Sequence, residues 1–354
     1  MKGVVHYFVA AAIVSLLPFV MELSVEQKSL IIVLGAIAGL LPDYIDFKIA
    51  KFFERVDEEI LPDWPYPDSQ KIARKIAMMI DESWNTKKTL NLQLHTIKVG
   101  PNLWRKWYVT FDSERKKVKV MVGPITTTGG KDFPETINDI PEELRKGEAD
   151  FNAPLFYRYK DNVIKMQAFT GPMIAFKPTE DHLEVEFLPW HRRWSHSITI
   201  AAVFSMILWV LSYILTLDIN ITNIITLAFF VGYNTHIITD QPGYMGSNLF
   251  WPITKKRIRG FKIAESMDPF MNFFTFYLAI MILLWQMNTA ITPHPIDFAL
   301  KFGSLVIPSI ISFIILWVML PEAVILLLRK RYWKPPKDPF LEELFKDEEE
   351  AILT

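Results

Sequence analysis

The chain has 354 residues, no cysteine and a formal net charge of −1. Without cysteine there are no disulfides, thiol nucleophiles or thiolate metal sites, which leaves His, Asp and Glu as the strong ligands. The near-neutral balance carries no basic signature for nucleic acid, and 51% hydrophobic residues is high for an ordinary soluble chain.

From the N-terminus, six apolar stretches are long enough to cross a bilayer: Val4–Leu23, Ser29–Phe47, Ile198–Leu217, Ile221–Asp240, Phe270–Ile291 and roughly Phe302–Leu328. The first lacks the small-residue cleavage site of a signal peptide, and the next apolar run follows within a few residues. A retained hairpin is therefore expected. Ser29–Phe47 has the shortest uninterrupted apolar run, and a re-entrant segment is the alternative there.

Residues 48–189 are a different kind of sequence. A Pro-rich connector, "LPDWPYPDS", precedes a predicted helix over Ser69–Trp84 with Asp68 or Ser69 as its cap. Alternating segments follow: "LNLQLHTIKV", "KWYVTF", "KVKVMV", "VIKMQAF", "MIAFKP" and "LEVEFLP". The turn signals "DSERK", "TTTGG" and "TEDH" separate several of them, as expected of antiparallel strands. The expected fold is thus an α-helical polytopic membrane protein of about six spans with an inserted, mainly β (α+β) domain. Its parts are residues 1–47, the insert 48–189, the remaining spans in 190–333, and a charged tail, 334–354.

Lys and Arg fall unevenly among the loops. "MELSVEQK", "TLDIN" and "NTAITPHPID" share one side and contain a single Lys. The other side carries the insert, "KKRIRGFK" and "RKRYWK". The positive-inside rule makes that side cytoplasmic, together with both termini, in the plasma membrane.

On this topology the candidate ligands gather at the cytoplasmic ends of the spans. His6 starts the first, Asp43 and Asp46 ("LLPDYIDFK") end the second, His191 and His196 ("WHRRWSHS") lead into the third, and His236 and Asp240 ("HIITD") end the fourth. Ionisable groups at membrane depth are costly and normally face a partner or a cavity. The i, i+4 pair His236/Asp240 and the i, i+3 pair Asp43/Asp46 each put two ligands on one helical face. His191 is expected in the entering loop, with Ser195 near the helix N-cap. Three aspartates and four histidines exceed the needs of one four-coordinate zinc. Two or three divalent ions, with Asp240 bridging, would use them, and such sites activate water for phosphate-ester hydrolysis. Each motif alone has a blander reading: an interface histidine, a helix end, a carboxylate-held imidazole, or basic and aromatic anchoring. His95, His182 and His294 lack such company and read as sheet, turn and loop residues.

These motifs resemble the membrane-bound metal-dependent hydrolase family described as LexA-regulated. Its pattern is a helix-starting His, L-P-D with a second Asp, H-R-x-x-T/S-H-S, and G-Y-x-x-H-x-x-x-D followed by Gly and Trp-Pro, matched here by Gly246 and Trp251-Pro252. The resemblance covers about residues 1–47 and 190–252. Many relatives have the two acids one residue apart and then a His, whereas Tyr44 and Ile45 separate them here and Phe47 follows. That family is similar in turn to zinc-dependent phospholipases C and single-strand nucleases. The resemblance implies Asp43 or Asp46, His196, His236 and Asp240 around one ion and His6 near a second, zinc being the expected metal.

The expected function is a phosphoesterase opening at the cytoplasmic face, with Arg192 and Arg193 holding phosphate oxygens or contacting lipid phosphates. Membrane lipid and an amphipathic phosphorylated substrate are the expected partners. Two alternatives stand. One is a metal-binding scaffold or transporter, although a transporter would want ligands near the midplane. The other is a metal-independent lipid phosphatase with a histidine nucleophile.

Overall fold

The computed structural model describes residues 2–26, 29–64, 66–157, 163–166, 171–254, 257–263, 268–302 and 305–333. The tail 334–354, the end of "VIKMQAF" and the two lysines of "KKRIRGFK" lie outside them. The chain divides into two units, one built from residues up to 51 together with those from 191 on, the other from 52–190. These limits fall within four residues of the predicted insert.

The membrane unit opens with α1 (Gly3–Ser15) and α2 (Pro18–Glu26), set at 97° to one another. The first predicted span is therefore broken. Proline inside a helix removes a backbone hydrogen bond and collides with the preceding turn, so the chain stops before Pro18 and restarts on it. The second predicted span is also interrupted. α3 (Ile31–Ala38) ends at Gly39, and α4 (Leu41–Ile45), with Pro42 in its first turn, runs into a π-helical turn, Asp46–Ala50. At roughly 20 Å and 12 Å, α1 and α3 are shorter than a hydrocarbon core of about 30 Å. They pack antiparallel: Gly39 lies against Ala10 and Gly35 against Val14. Both ends of this hairpin thus return to the same level, whether or not its turn reaches the far surface.

The inserted unit is built on two sheets and one long helix. α5 (Ser69–Thr86) is capped by Asp68, which accepts a hydrogen bond from Lys71 N at 2.9 Å, and ends where Lys87 turns left-handed. One sheet has the order β1 (Glu58–Ile60), β2 (Leu90–Leu94), β10 (Met173–Pro178), β11 (Leu183–Phe187) and β8 (Leu155–Tyr157). The other runs β3 (Ile97–Gly100), β4 (Leu103–Asp112), β5 (Lys117–Thr127) and β6 (Asp132–Phe133). Here β7 (Lys146–Asp150) pairs with β5 and β9 (Val163–Met166) with β4. Every predicted strand segment is found, but β1/β2 and β11/β8 are parallel, so the first sheet is mixed. Ile72, Ile76 and Ile80, at helical spacing on α5, share one core with Leu92, Val109, Val118 and Phe176 from both sheets.

The membrane unit resumes with α6 (Ile198–Thr216), α7 (Ile219–Thr239), α8 (Pro269–Ala290) and α9 (Ser309–Tyr332). These four are long and apolar enough to cross a membrane, five with the bent pair counted as one span; the sixth expected span is not found among the described residues. The last begins later than predicted, since Leu300–Phe302 pairs with Leu305–Ile307 in a short hairpin and Pro308 precedes the helix. Asp268 caps α8 through Phe270 N and Met271 N and also pairs with Arg329 of α9 at 2.7 Å. At the centre, α7 crosses α3 glycine on glycine: a Cβ on Gly232 would sit 2.1 Å from Gly35 O. Only small residues allow helices so close, and packing of this kind holds helices together where lipid offers no hydrophobic drive.

Candidate metal centre

The close crossing of α1, α3 and α7 brings their ends to one place. His6 lies in the first turns of α1, Asp43 in α4, His236 in the last turn of α7, and Asp240 caps that helix. His191 and His196 come from the turns before α6, whose N-cap is Ser197, two residues after Ser195, the residue expected near it. Within this unit all seven predicted ligands converge. His6, Asp46, His196, His236 and Asp240 are buried, while the Asp43 side chain keeps 28% of its surface exposed.

The outer nitrogens of three imidazoles are committed to the protein. His236 Nδ1 donates to Gly39 O at 2.7 Å. His6 Nδ1 bonds Thr239 Oγ1 at 3.0 Å, and because that hydroxyl donates to Thr235 O, the histidine must be the donor. His196 Nδ1 lies 3.2 Å from Asp46 Oδ2. Partners of this kind fix tautomer and ring orientation and leave Nε2 with its lone pair pointing inward.

What those lone pairs meet is more lone pairs. His196 Nε2 and His236 Nε2 are 3.2 Å apart, each is 3.5 Å from Asp43 Oδ1, and they lie 3.6 and 3.5 Å from Asp240 Oδ2. On the other side, His6 Nε2 stands 3.3 Å from Asp240 Oδ1. His6 Nε2 and Asp43 Oδ1 are buried and make no hydrogen bond. Four donors at 2.0–2.2 Å around a tetrahedral ion are separated by roughly 3.3–3.6 Å along the edges. The distances around Asp43, His196, His236 and Asp240 match that spacing, and the donor set suits a zinc-like cation.

Asp46 is placed differently. Its Oδ2 accepts from His191 Nδ1 at 2.8 Å and from Arg192 N at 2.7 Å, and its Oδ1 accepts from the Ser195 hydroxyl. Asp46, His191 and His196 form a second group close enough to hold an ion. The π-helical turn that starts at Asp46 gives it a neighbourhood separate from that of Asp43. Arg192, in a left-handed backbone conformation, lays its guanidinium on Asp240, with Nη2 2.9 Å from Oδ2 and Nη1 3.3 Å from the backbone oxygen. Arg193 is exposed. Ser195, Thr239 and Gly39 O carry orienting roles that sequence spacing did not reveal. Outside the cluster, His95 pairs with Glu59, His182 with Asp181, and His294 bonds backbone oxygens.

The electrostatics demand positive charge at the centre. Burial would raise the Asp240 carboxyl, but the imidazoles of His196, His236 and His6 around it and the Arg192 charge hold it well below the ordinary range. Burial would lower His196, yet Asp240, Asp43 and Asp46 hold it above its usual value. His191 goes down, through burial that its bond to Asp46 only partly offsets. A proton on His196, or a cation in its place, is what the surrounding carboxylates favour.

Fold and site together define a membrane protein with several apolar spans and a buried His/Asp cluster able to hold metal. Residues 158–327 match the family model described as YdjM inner membrane protein, a little under half of the chain; the match supports a resemblance to that inner membrane family and says nothing of hydrolase activity. The matched stretch contains His191, His196, His236 and Asp240 but not His6, Asp43 or Asp46. No curated protein and no solved structure matches the chain.

Proposed function

We propose that the protein is a metal-dependent membrane hydrolase, acting as a phosphoesterase on an amphipathic or lipid phosphate at the cytoplasmic ends of its spans. The observation that carries the proposal is the inward convergence of three imidazole Nε2 atoms and two carboxylates at the end of a helix long enough to cross the bilayer. Asp43, His196, His236 and Asp240 would hold one ion, and His6 with the other oxygen of Asp240 a second. A divalent cation there supplies Lewis acidity toward a phosphoryl oxygen and lowers the pKa of water. Asp46 keeps His196 in the ligating tautomer, and Arg192 keeps Asp240 aligned. Asp43, the partly exposed member of its group, marks the side from which substrate approaches.

One observation favours a non-catalytic, metal-holding scaffold as the second reading. Four protein ligands close a tetrahedral ion, whereas catalytic zinc sites keep a position open. Hydrolysis therefore depends on the His6 side of Asp240. The test is hydrolysis of a panel of phosphorylated lipids by purified protein, before and after chelation. Under the proposal, chelator abolishes activity, zinc or manganese restores it, and no phosphoenzyme is trapped. Chelator-resistant activity with a trapped phosphohistidine would identify the histidine-nucleophile mechanism instead, and full metal without activity on any substrate would favour the scaffold. Reporter fusions placed after Pro189 and after Trp333 should both report cytoplasm; opposite sides would break the proposed topology.

A further inference from the structure

The loop that follows Asp240 is tied together by backbone hydrogen bonds and carries an unusual surface. Its two arms are locked back to back: Ser247 and Ile258 exchange backbone hydrogen bonds, Phe261 N donates to Gln241 O at 2.8 Å, and Ile263 N to Pro242 O at 2.8 Å. The arms approach so closely that a Cβ on Gly260 would lie 2.0 Å from Gly243 O. Arg257 ties the loop to the metal centre by donating to His191 O at 2.5 Å. On this fixed frame Ile253, Phe261 and Ile263 are 77%, 69% and 61% exposed. Arg259 and Lys262 stand exposed among them and form no ion pair among the described residues.

A soluble protein rarely leaves large apolar side chains out on an ordered loop without a use for them. This loop starts where α7 ends, and Ile238 in the last turn of that helix is itself exposed. The loop therefore begins at the level where hydrocarbon gives way to headgroups. Apolar side chains interleaved with cations suit that boundary: the former enter the acyl region, and the latter remain among phosphates. We propose that residues 250–254 and 257–263 form a ledge seated in the leaflet and binding anionic phospholipid headgroups through Arg259 and Lys262, beside the metal centre. The proposal does not depend on the hydrolase reading.

The absence of native cysteine makes the test direct in the full-length chain. Single variants Ile253→Cys, Phe261→Cys and, as an aqueous reference in an exposed turn, Glu114→Cys are spin-labelled and placed in phosphatidylcholine–phosphatidylglycerol nanodiscs. Labels at 253 and 261 should collide readily with oxygen and be shielded from a water-soluble nickel chelate, unlike the label at 114. Separately, Arg259→Gln and Lys262→Gln should each lower the preference for spin-labelled phosphatidylglycerol over phosphatidylcholine by up to about fivefold. Nickel access at 253 and 261 equal to that at 114 would overturn the ledge. Shielding from both reagents would show that protein covers the loop, and so would overturn it too. An unchanged lipid preference in both charge variants would overturn headgroup binding.

Discussion

The two units put polar residues to opposite uses. In the inserted unit, the buried Lys106 ammonium is paired with Asp132 at 2.5 Å, and the core is a continuous apolar cluster. In the membrane unit, the buried His/Asp group gathers ligand atoms around one point, with Nε2 of His196 and His236 3.2 Å apart, so that a proton or a cation must sit among them. The first pattern is what stability alone produces. The second is costly unless a cation completes it. A buried cluster is a functional candidate here because its inward atoms crowd around one point while the Nδ1 atoms of its three imidazoles are each engaged by the protein.

That contrast can be broken most severely at the helix crossing. Gly232→Leu would force a side chain into the backbone of Gly35, and the membrane unit should fail to assemble while the inserted unit stays folded. Limited proteolysis should then leave a protected fragment close to residues 52–190; a fully protected chain would show that the crossing is not what assembles the site. The next largest effect belongs to the other unit. Ile76→Ala, fully buried on α5, should cost about 2–5 kcal/mol there and leave metal content unchanged. Denaturant melts read together with metal analysis would check it, and joint loss would mean that the units are not independent.

A smaller change sharpens the distinction between the two acids of "PDYID". Asp46→Asn removes an orienting carboxylate and should weaken metal affinity about 10–100-fold, the usual result of losing an outer partner. Asp43→Asn should weaken it more. Competition titration with a chelating dye decides, and the reverse order would make Asp46 the ligand. Affinity should also rise with pH across the neutral range. His196, raised by its carboxylates, keeps its proton up to its folded value, and that proton must leave before an ion binds. By the same sign, its charge stabilises the metal-free fold below the imidazole's unfolded value, and that contribution is lost as pH rises through the folded one. The smallest effect is Asp68→Ala, about 1 kcal/mol from the lost cap of α5, confined to the inserted unit.

Much of this was legible before any coordinates. Period-two alternation in "KWYVTF" and "KVKVMV" announced β4 and β5, although it did not show that both faces of "KWYVTF" would be buried. The spacing of His236 and Asp240 announced a shared face, and the polar residues at span ends announced a convergence. Hydropathy summed over a long window hid the break at Pro18, because Leu16, Leu17 and Phe19 on either side keep the average high. Nor did spacing separate Asp43 from Asp46: their roles differ because His191, Arg192 and Ser195, some 150 residues later, fold onto Asp46 alone. Ser195 illustrates the same limit. Its place near the helix start was legible, but its hydroxyl goes to a carboxylate brought by tertiary structure, while Ser197 holds the cap position.

The measurement closest to the central claim is the metal-to-protein ratio of the purified full-length chain and two variants, by plasma mass spectrometry after equilibration with zinc and removal of excess. The wild type should retain two or more ions. Asp240→Ala, which removes oxygens facing both His6 and the His196/His236 pair, should lose more metal than His6→Ala, which removes one nitrogen. A wild-type chain that holds no metal, or an Asp240→Ala variant that holds the full complement, would contradict it.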